Sequence, residues 1–367
     1  MARALALAGR GVGLTHPNPT VGAVIVKDGI VSGEGFHDYD GLLHAEIVAL
    51  KKAGPNAPGA TLYVTLEPCS HIGRTGPCTR AIIEAGIRRV VASIADPNPR
   101  VAGNGFAQLR RAGIEVTPGA GQAEAQRLNE GFTKWIRTRQ PFVTLKTALT
   151  LDGQIAMRPG HSTAISSSAS RQCAQRMRHE VDALLTGIGT ILIDDPLLTD
   201  RSGLPRRRKL LRVILDSHLR LPLKSRIVKS ADNDVLVFTA KSSDSAKARV
   251  LTKKGVEVFR ISARGGRVDL RRAVRELGRR QILNVLLEAG AELNGAALEA
   301  GIVDKLLLFY SPRIMGTGGV PMAEIASRQF PRSRPIKNYT VNRYGDDFIF
   351  EGYIHDVYGN HRSRGKN

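Results

Sequence analysis

His44-Ala45-Glu46, and further on Cys69 and Cys78 in Glu67-Pro68-Cys69-Ser70-His71-Ile72-Gly73-Arg74-Thr75-Gly76-Pro77-Cys78, supply one imidazole, two thiols and a carboxylate two residues past the imidazole. A catalytic zinc takes three protein ligands and keeps a fourth position for water, and nitrogen and sulfur donors suit it. His44, Cys69 and Cys78 therefore read as metal ligands. Glu46 reads as the group that takes a proton from the activated water and hands it to a departing amine. This is the equipment for hydrolytic deamination of an amino-substituted ring. A structural zinc with His71 as fourth ligand is the rival, and the open site is preferred because it gives Glu46 a task.

The elements must meet two demands. Residues two apart on a regular helix point about 200° away from each other, so His44 has to lie in the irregular start of the helix that runs to Gly54. Cys78 should open a second helix, whose N-terminal dipole favours a thiolate. Leu62–Leu66 reads as the strand that delivers Cys69. Around them, a short apolar helix spans 2–8, and Val21–Val26 with Ile30-Val31 flank Lys27-Asp28-Gly29 as a hairpin. Val90–Ile94 reads as a strand, 105–112 as a helix, 114–116 as a strand and 122–137 as one longer helix. A hairpin followed by alternating helices and strands implies an α/β, three-layer sandwich over residues 1–140. The boundary falls at Arg137-Thr138-Arg139-Gln140-Pro141.

Beyond it, Phe142–Ala148 reads as a strand bearing Lys146, followed by a Gly, Ser and Thr-rich loop over 152–170 and a polar helix to His179. Strands fit 181–186, 210–215, 235–239, 256–261 and 282–287, and helices fit 243–253, 268–278 and 293–300. Near-continuous apolar strands in repeated βα units imply a mostly parallel sheet covered on both faces. Lys305–Tyr310 and a segment ending at Tyr353 close the sheet, the last pair antiparallel. This second domain spans 141–360 and leaves a basic tail at 361–367. Gly187-Ile188-Gly189 is a weak glycine signal. Glu288-Ala289-Gly290-Ala291-Glu292-Leu293-Asn294-Gly295 is better placed, leaving a strand and entering a helix whose N-terminal amides can hold a phosphate. By themselves these features say only that this is an α/β domain with room for a nucleotide, and both glycine signals equally suit plain strand-to-helix turns.

A chain of 367 residues suits two domains. Three cysteines make a poor disulfide framework, and Cys173, far from the other two, reads as a free thiol. No run of about 18 apolar residues occurs, and the opening segment is too short for a signal peptide, so a soluble cytoplasmic protein without membrane association is expected. The formal charge is +21, of which residues 1–140 hold 16 basic and 11 acidic groups (+5) and residues 141–367 hold 38 and 22 (+16). The excess lies away from the metal motif, which argues against a basic groove feeding nucleic acid into that site.

His16-Pro17-Asn18-Pro19-Thr20-Val21-Gly22, His44-Ala45-Glu46 and Thr65–Cys78 together resemble the bifunctional riboflavin-biosynthesis deaminase/reductase family. Most of the wider cytidine deaminase-like group separates the two thiols by two residues. Here eight intervene (78 − 69 = 9), a spacing specific to the riboflavin branch, which sets aside a tRNA adenosine deaminase. Gly76 stands where family members commonly have proline. Lys146–Ala156, Gly187–Thr190, Asp194–Thr199 and Leu287–Gly290 resemble the family's reductase domain, which is similar to dihydrofolate reductase in fold.

The resemblance implies zinc-dependent deamination of a diaminopyrimidinone ribosylamino 5′-phosphate, then NADPH reduction of its ribosyl group to a ribityl chain. It places Asn18 in the pyrimidine pocket, and Ser162, Arg178, Leu198, Arg201 and Glu288 around the sugar phosphate. Ala148, Ala164, Thr190, Asp194, Gly290, Ala291, Glu292, Leu293, Asn294 and Gly295 fall at NADPH. Lys146 or Asp194 would polarise or protonate the acceptor during hydride attack. The partner is a small phosphorylated pyrimidine, not nucleic acid, and the chain would pair into a homodimer through its reductase half. Ala164 replaces a tryptophan of the family pattern, which removes a stacking surface beside the cofactor. A live deaminase with a degenerate second domain is therefore the alternative.

Overall fold

The computed structural model describes residues 1–71, 76–161, 163–325, 335–355 and 357–358. Part of the inter-cysteine loop (72–75), Ser162 and the basic tail 361–367 lie outside the described residues. Two compact units emerge: Met1–Thr138 with Pro205–Arg208, and Arg139–Leu204 with the described part of Lys209–Asn367.

The first unit runs α1 (Ala2–Arg10), β1 (Gly22–Lys27), β2 (Ile30–Phe36), α2 (Ala45–Ala53), β3 (Thr61–Leu66), α3 (Cys78–Glu84), β4 (Arg89–Ile94), α4 (Asn104–Arg111), β5 (Glu115–Pro118), α5 (Gln122–Leu128) and α6 (Glu130–Thr138). Its strands form one sheet in the order β2-β1-β3-β4-β5, with β1 antiparallel to both neighbours and the rest parallel. The hairpin turn falls on Asp28 (φ 50°) and Gly29 (φ 78°), both left-handed as a two-residue turn of matching twist requires. Alternation then assigns the two faces. Ala23, Ile25, Leu62 and Val64 pack with the apolar residues of α2, α3 and α4, while Val24, Val26 and Tyr63 pack with Ala4 and Leu7 of α1. The unit is thus helix, sheet, helix.

Glycines bring α2 close to the sheet. A Cβ at Gly35 would stand 2.3 Å from the Ala45 carbonyl oxygen, and one at Gly33 would stand 2.2 Å from that of Ala49. The first of these contacts is with the residue between His44 and Glu46. Gly35→Ala is therefore expected to push the helix start outward, lowering stability by about 1–3 kcal/mol. Chemical denaturation together with metal analysis checks this, with less zinc retained than in the wild type.

The single helix expected over 122–137 is two. Asn129 (φ −120°) separates α5 from α6, because its side chain accepts from Thr20 N–H (2.8 Å) and donates to the carbonyls of Thr20 (3.0 Å) and Ala125 (3.2 Å). These tertiary bonds override helix propensity at a residue whose short amide competes readily with the backbone.

The second unit comprises β6 (Phe142–Thr150), β7 (Gln154–Ala156), α7 (Ser168–Glu180), β8 (Ala183–Gly187), α8 (Ile188–Asp194), β9 (Leu211–Leu215), α9 (Arg226–Lys229), β10 (Val235–Ala240), α10 (Ser245–Lys253), β11 (Val256–Ile261), β12 (Ala263–Arg264), β13 (Arg267–Val268), α11 (Leu270–Arg279), β14 (Asn284–Leu287), α12 (Ala291–Glu299), β15 (Lys305–Ser311), β16 (Val320–Pro321), β17 (Lys337–Tyr344) and β18 (Asp347–Tyr353). Among the described residues its main sheet has nine strands, in the order β11-β10-β9-β8-β14-β6-β15-β18-β17. All neighbours are parallel except β18, which is antiparallel to both β15 and β17.

Successive strand residues supply opposite cores. Leu185, Val213, Leu236 and Phe238 enter one cluster, and Leu184, Ile214, Val235 and Val237 the other. Both faces are therefore covered, as the apolar runs imply. The edge strand β17 has no counterpart in the sequence reading, because a mostly exposed edge with Asn338, Thr340, Asn342 and Arg343 interleaved carries no apolar period. The helix expected from 268 starts at Leu270, where Asp269 accepts from Arg272 N–H at 3.1 Å as its cap, while Arg267–Val268 pair with β12. No helix among the described residues is long and apolar enough to cross a membrane.

Candidate functional site

His44 stands just before α2 with extended backbone (φ −72°, ψ 155°), while Glu46 lies in the helix's first turn. This is the irregularity that a His-x-Glu pair needs to share one site. Pro77 precedes α3 and Cys78 is its first residue. The ligand atoms of His44, Cys69 and Cys78 lie within 4.8 Å of one another, with His44 Nδ1 at 3.1 Å from Cys78 Sγ and 3.5 Å from Cys69 Sγ. Cys78 N–H donates to Cys69 Sγ at 3.3 Å.

A hydrogen bond from the Cys78 thiol holds Cys69 down at about 4, and donating that proton while buried pushes Cys78 up. Two thiols sharing one proton beside an imidazole form a pocket that a divalent cation completes, and one imidazole with two thiolates leaves a tetrahedral ion a free position. The donor set fits zinc. Glu46 is 4% exposed, and burial pushes its carboxyl up against the pull of His44.

Two residues behind this centre escaped the sequence reading. Glu67, 4% exposed, accepts from the backbone N–H groups of Asp96 (2.9 Å), Gly103 (2.9 Å), Gly105 (2.8 Å) and Phe106 (3.2 Å). A carboxylate so placed neutralises the exposed amides at the start of α4 and ties the end of β3, hence Cys69, to that helix. Buried His37 reaches Leu43 O through Nδ1 (2.9 Å) and the Asn18 amide through Nε2 (3.0 Å), and its ring meets that of His44 edge-on at 5.5 Å. Asn18 is thereby linked to the segment that ends in a metal ligand. Asp96 is also close, its carboxyl pushed up by burial with His71 opposing. The signal for Glu67 was its place between a strand and Pro68-Cys69. Nothing local announced His37.

In the second unit a cavity of about 1010 Å³ opens where β8, β9 and β14 end. Such crevices at the carboxyl ends of parallel strands are where α/β folds bind ligands. Lys146, Ala148, Ala164, Arg178, Thr190, Asp194, Leu198 and Glu288 all line it, with Gly290–Leu293 at the start of α12. Asn294 and Gly295 do not. Asn294 is fully buried and donates to Met322 O (2.9 Å), and a Cβ at Gly295 would stand 1.7 Å from Glu324 O, so both face the 322–324 segment. Arg201 is exposed and outside the cavity lining, and Ser162 lies outside the described residues.

Arg178 and Glu288 form a two-pronged pair at 2.7 and 3.2 Å, each side chain about 13–14% exposed. Lys146 sits with its ammonium 5.3 Å from the centre of the Phe309 ring, and its charge joins that of Arg178 in drawing the Glu288 carboxyl down against burial. Ser217, His218 and Arg220 also line the cavity. The sequence reading missed them, because one strand end after another offers such groups and only the sheet order brings these beside α12.

Residues 1–94 match the model of the cytidine and deoxycytidylate deaminase zinc-binding region, and residues 141–349 match that of the RibD C-terminal domain. The riboflavin biosynthesis protein RibD of Aquifex aeolicus is 41% identical over 95% of this chain and 96% of its own length. That of Escherichia coli is 44% identical over 86% and 88%. Among solved structures, Acinetobacter baumannii RibD superposes with a TM-score of 0.84 at 39% identity, covering 96% of this chain and 97% of its own. A Thermotoga maritima diaminohydroxyphosphoribosylaminopyrimidine deaminase/5-amino-6-(5-phosphoribosylamino)uracil reductase superposes at 0.81 with 37% identity and the same coverage. With identity at this level along nearly the whole length, a three-donor metal pocket in one unit and a strand-end cavity in the other, the chain belongs to the RibD family of riboflavin biosynthesis proteins.

Proposed function

We propose that residues 1–140 deaminate 2,5-diamino-6-ribosylamino-4(3H)-pyrimidinone 5′-phosphate hydrolytically and that residues 141–360 reduce the ribosyl group of the product to a ribityl chain, 361–367 being a basic tail. The observation that carries this reading is the convergence of His44, Cys69 and Cys78 with buried Glu46 beside them. Zinc held by those three supplies Lewis acidity that makes water nucleophilic at neutral pH. Glu46, whose burial favours holding a proton, accepts one from the attacking water and delivers it to the departing amine. Asn18, with its amide nitrogen committed to His37, offers its carbonyl oxygen to the pyrimidine.

In the second unit NADPH supplies the hydride. The start of α12 at Gly290–Leu293 would hold its phosphates, with Ala148, Ala164 and Thr190, which line the same cavity, beside it. Arg178, oriented by Glu288, clamps the sugar phosphate with Leu198 beside it. Lys146 or Asp194 gives the proton that accompanies hydride addition. The exposed Tyr339 and Val341 on edge strand β17 support pairing of two chains through this half, and free thiols at a metal pocket suit a reducing cytoplasm.

Product analysis tests the proposal. Purified protein with the pyrimidine precursor alone should release ammonia, and adding NADPH should yield the ribityl product. Stripping the metal should stop ammonia release yet leave NADPH oxidation intact when the deaminated compound is supplied. An unchanged precursor overturns the reading, and ammonia release without NADPH oxidation would reduce the second unit to a degenerate domain.

A further inference from the structure

We propose that Arg207, contributed by the connection between α8 and β9 in the second half of the sequence, is a positioning residue for deamination; this rests on reading the first unit as a deaminase. Pro205–Arg208 cluster with the first unit although the flanking residues belong to the second. Arg207 N–H donates to Gly13 O (2.8 Å), and its guanidinium donates through Nη1 to His16 O (3.0 Å) and through Nε to Asp40 Oδ1 (2.9 Å). The same guanidinium lies 3.8 Å from the centre of the Tyr39 ring.

These partners fall on two segments that bracket the site. One, from Gly13 to His16, leads within two residues to Asn18; the other, Tyr39-Asp40, leads through Leu43 to the metal ligand His44. The segments already touch, with Tyr39 N–H donating to Leu14 O at 3.2 Å, and His37 bridges their far ends by bonding both Asn18 and Leu43 O. Arg207 clamps the near end of the same pair. The Arg207 side chain is 21% exposed whereas Asp40 is 72% exposed, so the ion pair contributes little and the bond to the His16 carbonyl with the stack on Tyr39 does the holding. A small misplacement of a group that orients substrate costs binding and rate far more than it costs stability.

The test uses the full-length zinc-loaded protein. Arg207→Ala should raise the deamination KM about tenfold while kcat changes less than about threefold, the pattern of lost substrate positioning. Zinc content should stay at the wild-type level, and reduction of supplied deaminated substrate should be unchanged. Arg207→Lys should restore part of the loss, since an ammonium can reach the His16 carbonyl but offers no flat face to Tyr39. Asp40→Asn should behave almost as wild type. An unchanged KM in Arg207→Ala overturns the proposal, as does an effect confined to kcat. Joint loss of zinc and both activities would also overturn it, by showing a merely structural staple. Absence of ammonia from the wild-type protein would sink the deaminase reading itself, and this inference with it.

Discussion

Glu46→Gln should cut ammonia release by about 10²–10⁴-fold while zinc remains bound, because general acid–base catalysis by a placed carboxyl is worth that much. The amide keeps the shape of the side chain but cannot cycle a proton. The metal pocket survives because its donors are His44, Cys69 and Cys78, and Glu46 only adjoins them. Folding should survive as well. Glu46 is 4% exposed and burial disfavours its charge, so an isosteric neutral group there is neutral or stabilising. Metal analysis, calorimetry and an ammonia assay on one preparation check the three statements together. Cys69→Ser should behave differently, losing zinc along with activity. Wild-type ammonia release by Glu46→Gln would remove the proton carrier from the mechanism, and a basic zinc protein that binds RNA regardless of this substitution would replace the deaminase reading.

That contrast is legible in the sequence because it depends on local spacing. His-x-Glu, Pro-Cys and a second cysteine after eight residues specify donor types and an order along the chain, and the backbone needs only to break helical geometry at His44, which it does. The two-sided α/β architecture is legible for a similar reason, since the hairpin signal at Lys27-Asp28-Gly29, the succession of helical and strand segments and the near-continuous apolar runs of β8 to β10 are all local. What stayed hidden is non-local. Asn129 breaks a helix for the sake of Thr20, more than a hundred residues away, and Glu67 serves amides near Gly103. His37 and Arg207 carry no motif, and their partners are set by which segments the fold lays side by side. The same holds for Asn294 and Gly295. A glycine-rich strand-to-helix turn suggests cofactor contact along its whole length, yet a helix turns successive residues through about 100°, so only part of the run meets the cavity.

Arg212→Ala should destabilise the second unit by about 2–3 kcal/mol, the cost of losing the hydrogen bonds of a buried guanidinium to a part-buried carboxylate and its neighbours. Arg212 is 1% exposed at the second residue of β9, a position where the sequence pattern asks for an apolar residue. Its guanidinium spends itself on Asp234 (2.7 and 3.0 Å), Ser230 Oγ and O (both 2.9 Å) and Leu197 O (3.0 Å). Removing it takes five hydrogen bonds from the part-buried Asp234 carboxylate, Ser230 and the Leu197 carbonyl, leaving Asp234 with the Asp232 N–H (2.9 Å) and partial access to water. Arg212→Lys should recover little, since an ammonium cannot serve both Asp234 oxygens and two carbonyls from one plane. The Leu197 contact gives the change a functional side. Leu198, held with a left-handed backbone (φ 55°) and buried, follows directly and lines the cavity with Asp194. Releasing Leu197 should therefore raise the KM for the deaminated substrate in whatever fraction stays folded. Urea denaturation followed by circular dichroism reads the first effect and steady-state NADPH oxidation at low temperature the second. Full stability with wild-type kinetics in Arg212→Ala would mean that the Asp232 N–H and water suffice for Asp234 and that the loop holding Leu198 is fixed from elsewhere.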